Sequence, residues 1–285
     1  MQNRIHTLAR LVAVPLLLAS LLVSCDGDDT STTVAGELDS LSATLAQNKP
    51  RNESTRYKLP SPVELYLHLR SSQAVPAVDK LHSPVAASNY MTDIAKSVNF
   101  GIYASDLAYC TVFENFQQTN EYFRVTKILA GQLGITEGYN NLMMKRLASN
   151  LNNSDSLFQI SSDTYWEVCS SLENSDKSNT LALILLGGWV ESVYLAVHSV
   201  ETFDGNSEII LRITEQSYLL ENLLDYLNTL SNDKKTLDYV EKLIDLQYSF
   251  DKLFDNPDDV LITKKQYQEI SEKIKYIRAD LISWQ

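Results

Sequence analysis

The residues best equipped for chemistry lie on two helical patterns in the middle of the chain. Asn99, Tyr103, Asp106 and Cys110 stand at offsets of four, seven and eleven, which places an amide, a phenol, an acid and a thiol along one helix face. An acid and an amide on a mostly apolar helix cost free energy unless their hydrogen bonds are met. Either they bond helix ends or tyrosines inside the core, or they line a ligand site. In the second case burial would raise the Asp106 pKa and make it a candidate general acid. Glu191, Tyr194 and His198 form the other group, at offsets of three and seven, just after Trp189. A carboxylate, a phenol and an imidazole at the end of an apolar helix can line a pocket, with Glu191 as base or polar anchor. The plainer alternative is that the helix leaves the core there and turns its polar side to solvent.

Other reactive constellations are missing from the sequence. Beyond the N-terminal region the histidines are His68, His82 and His198, and none stands three residues after a glutamate, the spacing that a di-iron bundle needs on two helices. There is no HExxH pair, no calcium loop with its glycine, no Walker phosphate loop and no Gly-x-Ser-x-Gly elbow. Asp255-Asn256-Pro257-Asp258-Asp259 is acidic but has turn chemistry. With 36 acids in the chain, a pair at glycosidase distance would discriminate nothing. No metal or cofactor is expected, and no catalytic residue is assigned. Cys110 and Cys169 would be able to pair outside the cytoplasm, yet each sits beside aromatics on a helical pattern, where buried free thiols are also common. Both outcomes stay open.

The N-terminus reads as an address. Arg4 and Arg10 come without any acid before an apolar run from Leu11 to Leu22 that contains Pro15. A run of about a dozen residues falls short of the roughly 20 that a spanning helix needs, so it reads as an export signal. Leu22-Val23-Ser24-Cys25 closes it and resembles the lipobox of bacterial lipoproteins. The resemblance implies that residues 1–24 are removed and that Cys25 becomes the lipid-bearing first residue, anchored by acyl chains at roughly 0.8 kcal/mol per buried methylene. The following Asp26, Gly27, Asp28 and Asp29, then Thr30 to Thr33, resemble the acidic surface-export signal of lipoproteins in one group of Gram-negative bacteria. In other Gram-negative bacteria an Asp directly after the lipidated cysteine resembles an inner-membrane retention signal. Outer membrane and surface display are the favoured expectation. Asn99-Phe-Gly-Ile-Tyr-Ala-Ser-Asp106-Leu-Ala-Tyr109 and Leu186-Gly-Gly-Trp-Val-Glu191 resemble segments of uncharacterised helical lipoproteins of Gram-negative bacteria, a likeness that implies the class and no activity.

Charge narrows the partners. The formal net charge of −12 becomes −14 once Arg4 and Arg10 leave with the signal, which makes nucleic acid and anionic lipid poor partners. The basic, aromatic-interleaved strips of nucleic-acid binders are absent as well. The expected partners are the membrane, through the anchor, and an envelope protein.

The elements that must position these residues are helices. No proline occurs between Pro84 and Pro257, and the few glycines fall mainly where apolar periodicity pauses. Residues 25–54 read as a polar tether, with Leu38, Leu41 and Leu45 on a marginal helix, and 55–285 as a single helical domain. Ser61-Pro62-Val63-Glu64 combines an N-cap, a proline at the first helical position and a capping-box glutamate, so a helix starts at Pro62 and runs to about Ser72. A loop to Pro84 follows. Further helices are predicted over Asn89–Glu114, Asn120–Gln132, Glu137–Leu151 after Thr136, Asp155–Leu172 after Ser154, onward from Ser178, and over Ser207–Leu230, Lys234–Phe254 and Lys264–Ser283. The stretch Leu181–Val190 is apolar on all sides. Ten residues are too few to span a bilayer, so it should be the central buried helix, with Gly187-Gly188 admitting a close neighbour. In the last helix Tyr267, Ile270, Ile274, Ile277, Leu281 and Trp284 form a seam that the helix from Lys234, or a partner chain, must cover. Short loops make neighbours antiparallel. The expected fold is all-α, an antiparallel helical bundle or short irregular α-solenoid of about eight helices. The expected function is that of a membrane-anchored envelope lipoprotein serving as a non-enzymatic binding or structural module. The alternative is an envelope hydrolase or small-ligand binder around Asp106, Glu191 and His198, with Tyr103, Trp189 and Tyr194 as walls.

Overall fold

The apolar stretch Leu181–Val190 becomes the axis of the fold. The computed structural model describes residues 62–135, 145–146, 149–150, 153–230 and 234–284. These form helices α1 (Pro62–Ser71), α2 (Asp93–Val112), α3 (Phe116–Gln132), α4 (Ser154–Asn174), α5 (Ser178–His198), α6 (Glu208–Thr214), α7 (Gln216–Leu230), α8 (Lys234–Asp251) and α9 (Lys264–Ile282). Short 3-10 turns occupy Val78–Lys80, Pro84–Asn89 and Lys252–Asp255, and the described residues include no strand. The fold is an all-α helical bundle. Of the expected helix over 137–151 only 145–146 and 149–150 are described, with 145, 146 and 149 helical; the caps Ser61 and Thr136, the tether, Cys25 and the acidic Asp26, Asp28 and Asp29 lie outside the described residues.

Helix α5 is 21 residues long, more than the ten-residue apolar core suggests. By length and composition it would suit a membrane, with a mean hydropathy of 1.8, but 89% of that apolar window is buried inside the protein. Its role as central helix therefore rests on its burial, not on being too short.

The tightest partner of α5 is α2, and the two run in the same direction: Val98 meets Gly187, Gly101 meets Gly188, and Tyr109 reaches Ser199. Gly187-Gly188 does admit a close neighbour, and Gly101 is its counterpart on α2. A Cβ on Gly101 would be driven into the Ile184 carbonyl, and one on Gly187 into the Val98 carbonyl. The backbones touch where neither residue has a side chain. Consecutive helices are antiparallel where loops are short, as in α8 and α9, joined side by side through Lys242–Asp280 and Ser249–Glu269.

Helix ends explain the boundaries. Asn115 caps α3, its side chain accepting from the Gln118 N–H at 3.3 Å, so α3 starts four residues earlier than periodicity alone places it. Asn153, rather than Ser154, caps α4 through the Ser156 N–H at 2.9 Å. The single helix expected over Ser207–Leu230 divides at Glu215. There the Thr214 hydroxyl donates to the Leu211 carbonyl (2.8 Å) and the Gln216 amide to the Arg212 carbonyl (3.1 Å), side-chain bonds that compete for helical acceptors. Thr263 and Gln266 form a full capping box at the start of α9. The α9 seam of Ile270, Ile274, Ile277 and Leu281 is buried. Its main cover is α5, with α8 beside it and α2 beyond, where the helix from Lys234 was the favoured cover and a partner chain the alternative.

Candidate functional site

Three helices each bring one charged group into the same part of the core. Asp106 on α2 and Glu191 on α5 are 0% exposed, and Arg278 on α9 is 8% exposed. Arg278 holds Glu191 with two parallel bonds, Nε to Oε2 at 2.8 Å and Nη2 to Oε1 at 3.0 Å, the fork geometry that arginine and carboxylate share. The Tyr194 ring covers the guanidinium, 4.5 Å from its carbon. Burial works against the Arg278 cation, but Glu191, with Asp106 and Tyr194 adding to it, more than offsets that and raises its pKa.

Asp106 meets a different environment. Its Oδ2 accepts the His82 N–H at 3.2 Å, while Oδ1 finds no donor. Desolvation first, then the nearby Glu191 carboxylate, pushes its pKa well above the usual carboxylate range, against a smaller opposing pull from Arg278. Burial beside Glu191 thus favours the protonated, uncharged form of Asp106. The cluster combines one ion pair with a carboxyl group whose charged form its surroundings disfavour.

Aromatic groups close the cluster. His82 is buried, and burial, aided by Arg278, lowers its pKa to about 4, so it is a neutral imidazole. Its Nε2 and the Tyr90 hydroxyl share a hydrogen bond of 2.6 Å, and its ring lies 5.0 Å from that of Tyr103. Tyr103 donates to the Ser83 carbonyl at 2.8 Å and Tyr122 to the His82 carbonyl at 2.9 Å. At Ser105, the residue before Asp106, the hydroxyl bonds that of Tyr66 at 2.5 Å.

Of the sequence candidates, the structure gathers Tyr103, Asp106, Glu191 and Tyr194. Glu191 does not turn to solvent with its helix end; it is among the most buried residues of the chain. Asn99 donates to the Ala95 carbonyl of its own helix at 2.9 Å and leaves its Oδ1 unsatisfied. Trp189 is buried with Nε1 unsatisfied. Half-buried His198 lies with its ring centre 4.3 Å from that of Tyr194, tilted by 52°, and donates from Nδ1 to the Tyr194 carbonyl at 2.8 Å. Cys110 and Cys169 are free and buried, so the disulfide left open above is not formed. The Cys110 thiol turns to Gln118 on α3 and Cys169 to Tyr165 on its own helix, and burial raises both thiol pKa values, that of Cys169 to about 12. Both are poor nucleophiles at neutral pH.

Arg278, His82, Tyr90 and Tyr122 were not singled out as site residues. Arg278 lies four residues after Ile274, next to the apolar seam, which is the one signal for it. His82 lies in a loop between prolines, where no periodicity marks the inward side.

Compared with known proteins, the chain matches no family model, no curated protein and no solved structure.

Proposed function

We propose that this protein is a lipid-anchored envelope protein whose helical body is a non-enzymatic binding or structural module. The observation that carries the second half is the buried Glu191–Arg278 pair with Asp106 beside it. The groups best suited to acid–base work are spent on joining α2, α5 and α9, and a general acid or base must reach its substrate's proton. The first half rests on Leu22-Val23-Ser24-Cys25 and the acidic residues after it, which favour export to the outer membrane and display at the surface. The hydrolase or small-ligand reading around Asp106, Glu191 and His198 has less support, because Arg278 fills the place between Glu191 and Tyr194.

Two experiments test the parts separately. Wild-type protein should sediment with membranes after a high-salt wash and incorporate a labelled fatty acid, whereas Cys25→Ala should do neither. An alanine variant that stays membrane-bound and labelled would refute the anchor. Chemical cross-linking of intact envelopes should recover a stoichiometric partner; recovery of the uncross-linked chain alone under several growth conditions would overturn the binding role.

A further inference from the structure

Five of the eleven large apolar side chains exposed among the described residues lie on one flank of the molecule. Leu237, Ile244 and Tyr248 stand at offsets of seven and eleven along α8, so they form one stripe. Ile244 is 51% and Tyr248 62% exposed. Phe254 follows on the turn after α8, and Tyr276, 66% exposed, stands on the facing side of α9. Single exposed apolar residues are ordinary, but a helical stripe is not.

A groove of about 600 Å³ runs beside this stripe, between α8 and α9. Its walls carry Asp238, Glu241, Asp245 and Glu272 against Lys242 and Lys273. Both lysines are committed within the protein. Lys242 pairs with Asp280 and lies over the Tyr276 ring. Lys273 pairs with Asp245 at 2.7 Å and approaches Glu269. Glu272 has Lys275 at 2.8 Å. Asp238 and Glu241 have no cation at ion-pair distance among the described residues. The groove therefore combines an apolar shoulder with an acidic lip, Asp238 and Glu241, that no ion pair among the described residues neutralises.

That pattern selects its occupant by charge. A second copy of a chain with net charge −12 meets like charge at this lip, and anionic lipid does too. An amphipathic helix with apolar anchors at spacings of three and four, flanked by Lys or Arg, meets both features at once. We propose that the α8–α9 groove docks a cationic amphipathic helix of a protein partner, with its apolar residues on Leu237, Ile244, Tyr248 and Tyr276 and its basic residues at Asp238 and Glu241. The inference rests on the binding-module reading and gives it a place and a partner chemistry.

The test is fluorescence anisotropy of the full mature protein in detergent with a labelled leucine–lysine peptide of amphipathic helical pattern and a scrambled peptide of the same composition. The patterned peptide should bind about tenfold tighter than the scrambled one, and Ile244→Ser and Glu241→Lys should each weaken it at least about fivefold, the loss expected for an interface anchor. Ile128→Ser and Glu121→Lys, exposed changes on α3, should leave it unmoved. Equal binding of the two peptides, or wild-type affinity in Ile244→Ser and Glu241→Lys, overturns the proposal. So does a concentration-dependent dimer that Ile244→Ser abolishes, or flotation with phosphatidylcholine vesicles that the same variant loses. In cross-linked envelopes, a partner bound through residues of α8 and α9 supports the groove. A partner bound elsewhere overturns it while the binding-module reading stands, and the absence of any partner overturns that reading itself.

Discussion

Asp106 and His82 are joined by a backbone hydrogen bond, yet burial gives them opposite responses to pH. The folded state raises the Asp106 pKa, so the stabilising contribution of its neutral form is complete below the unfolded value of about 3.9 and is lost as pH rises through the folded value. His82 is lowered to about 4. Its contribution is complete above the unfolded value of about 6.5 and is lost as pH falls from there toward 4. Asp106→Asn, which keeps the shape and removes the ionisation, should therefore gain thermal stability relative to wild type as pH is raised from 4, with the gap widest on the alkaline side. His82→Gln should flatten the decline between pH 6.5 and 4. Melting curves across pH check both, and an Asp106→Asn profile parallel to wild type would show that Asp106 does not carry a proton that folding holds. Glu191→Gln should destabilise by about 3–5 kcal/mol, because it leaves the Arg278 charge buried without its counterion, whereas Glu191→Gln with Arg278→Met should recover a large part of that loss by denaturant titration. Asp106 and Glu191 were legible in the sequence because acids on apolar faces are conspicuous. Their partner was not: Arg278 lies 87 residues from Glu191, on a helix already full of charges, where one more basic residue reads as solvent-facing.

Helices are fixed here by their ends and by one contact between backbones. α1, α2, α3 and α4 are each followed by a residue in the left-handed region, Gln73, Glu114, Gly134 and Asp176. The first three close with the paired bonds of a Schellman motif, such as Ala74 N–H to the Leu69 carbonyl and Gln73 N–H to the Arg70 carbonyl, both 3.0 Å. Only one of the four is glycine, which is why the C-terminal ends were hard to place from sequence while the helices themselves were plain from periodicity. Left-handed backbone costs a non-glycine residue roughly 1–2 kcal/mol, so Gln73→Gly should stabilise the protein by up to about 1 kcal/mol in urea unfolding. A loss of stability would mean that the Gln73 side chain contributes more than its backbone strain costs. At the crossing of α2 and α5 the sign reverses. Gly187→Ala or Gly101→Ala places a methyl group against a backbone carbonyl, which must move a helix rather than a rotamer, and overpacking of this kind costs about 1–3 kcal/mol or more. Gly131→Ala, on α3, meets nothing within 4 Å and should be neutral or mildly stabilising through helix propensity. The Gly187-Gly188 pair announced a close approach, but the identity of the neighbour follows from the parallel run of α2 and α5, which loop lengths between adjacent helices do not disclose.

At the scale of the whole molecule the last helix is a clasp rather than an appendage. α9 covers α5, bonds the Val197 carbonyl through Tyr267 at 2.8 Å and supplies the cation for Glu191. Its end lies near Tyr90, 192 residues earlier, through the Ile282 carbonyl. Contacts of such sequence separation close only when the intervening chain is in place, so the first and last parts of the described body should fold and unfold together. A chain ending at Thr263 tests this. It lacks the 19 residues of α9, uncovers the apolar face of α5, and leaves Glu191 without the Arg278 cation. An unpaired buried carboxylate of this kind costs about 3–5 kcal/mol, a large part of the 5–15 kcal/mol by which a domain is ordinarily stable. The shortened chain should therefore lose its cooperative thermal transition and bind a hydrophobic dye, rather than simply lose helical signal in proportion to the residues removed. If circular dichroism shows only that proportional loss, with the melting temperature unchanged, then α9 is dispensable to the fold. In that case the Glu191–Arg278 pair joins two parts that are stable without each other.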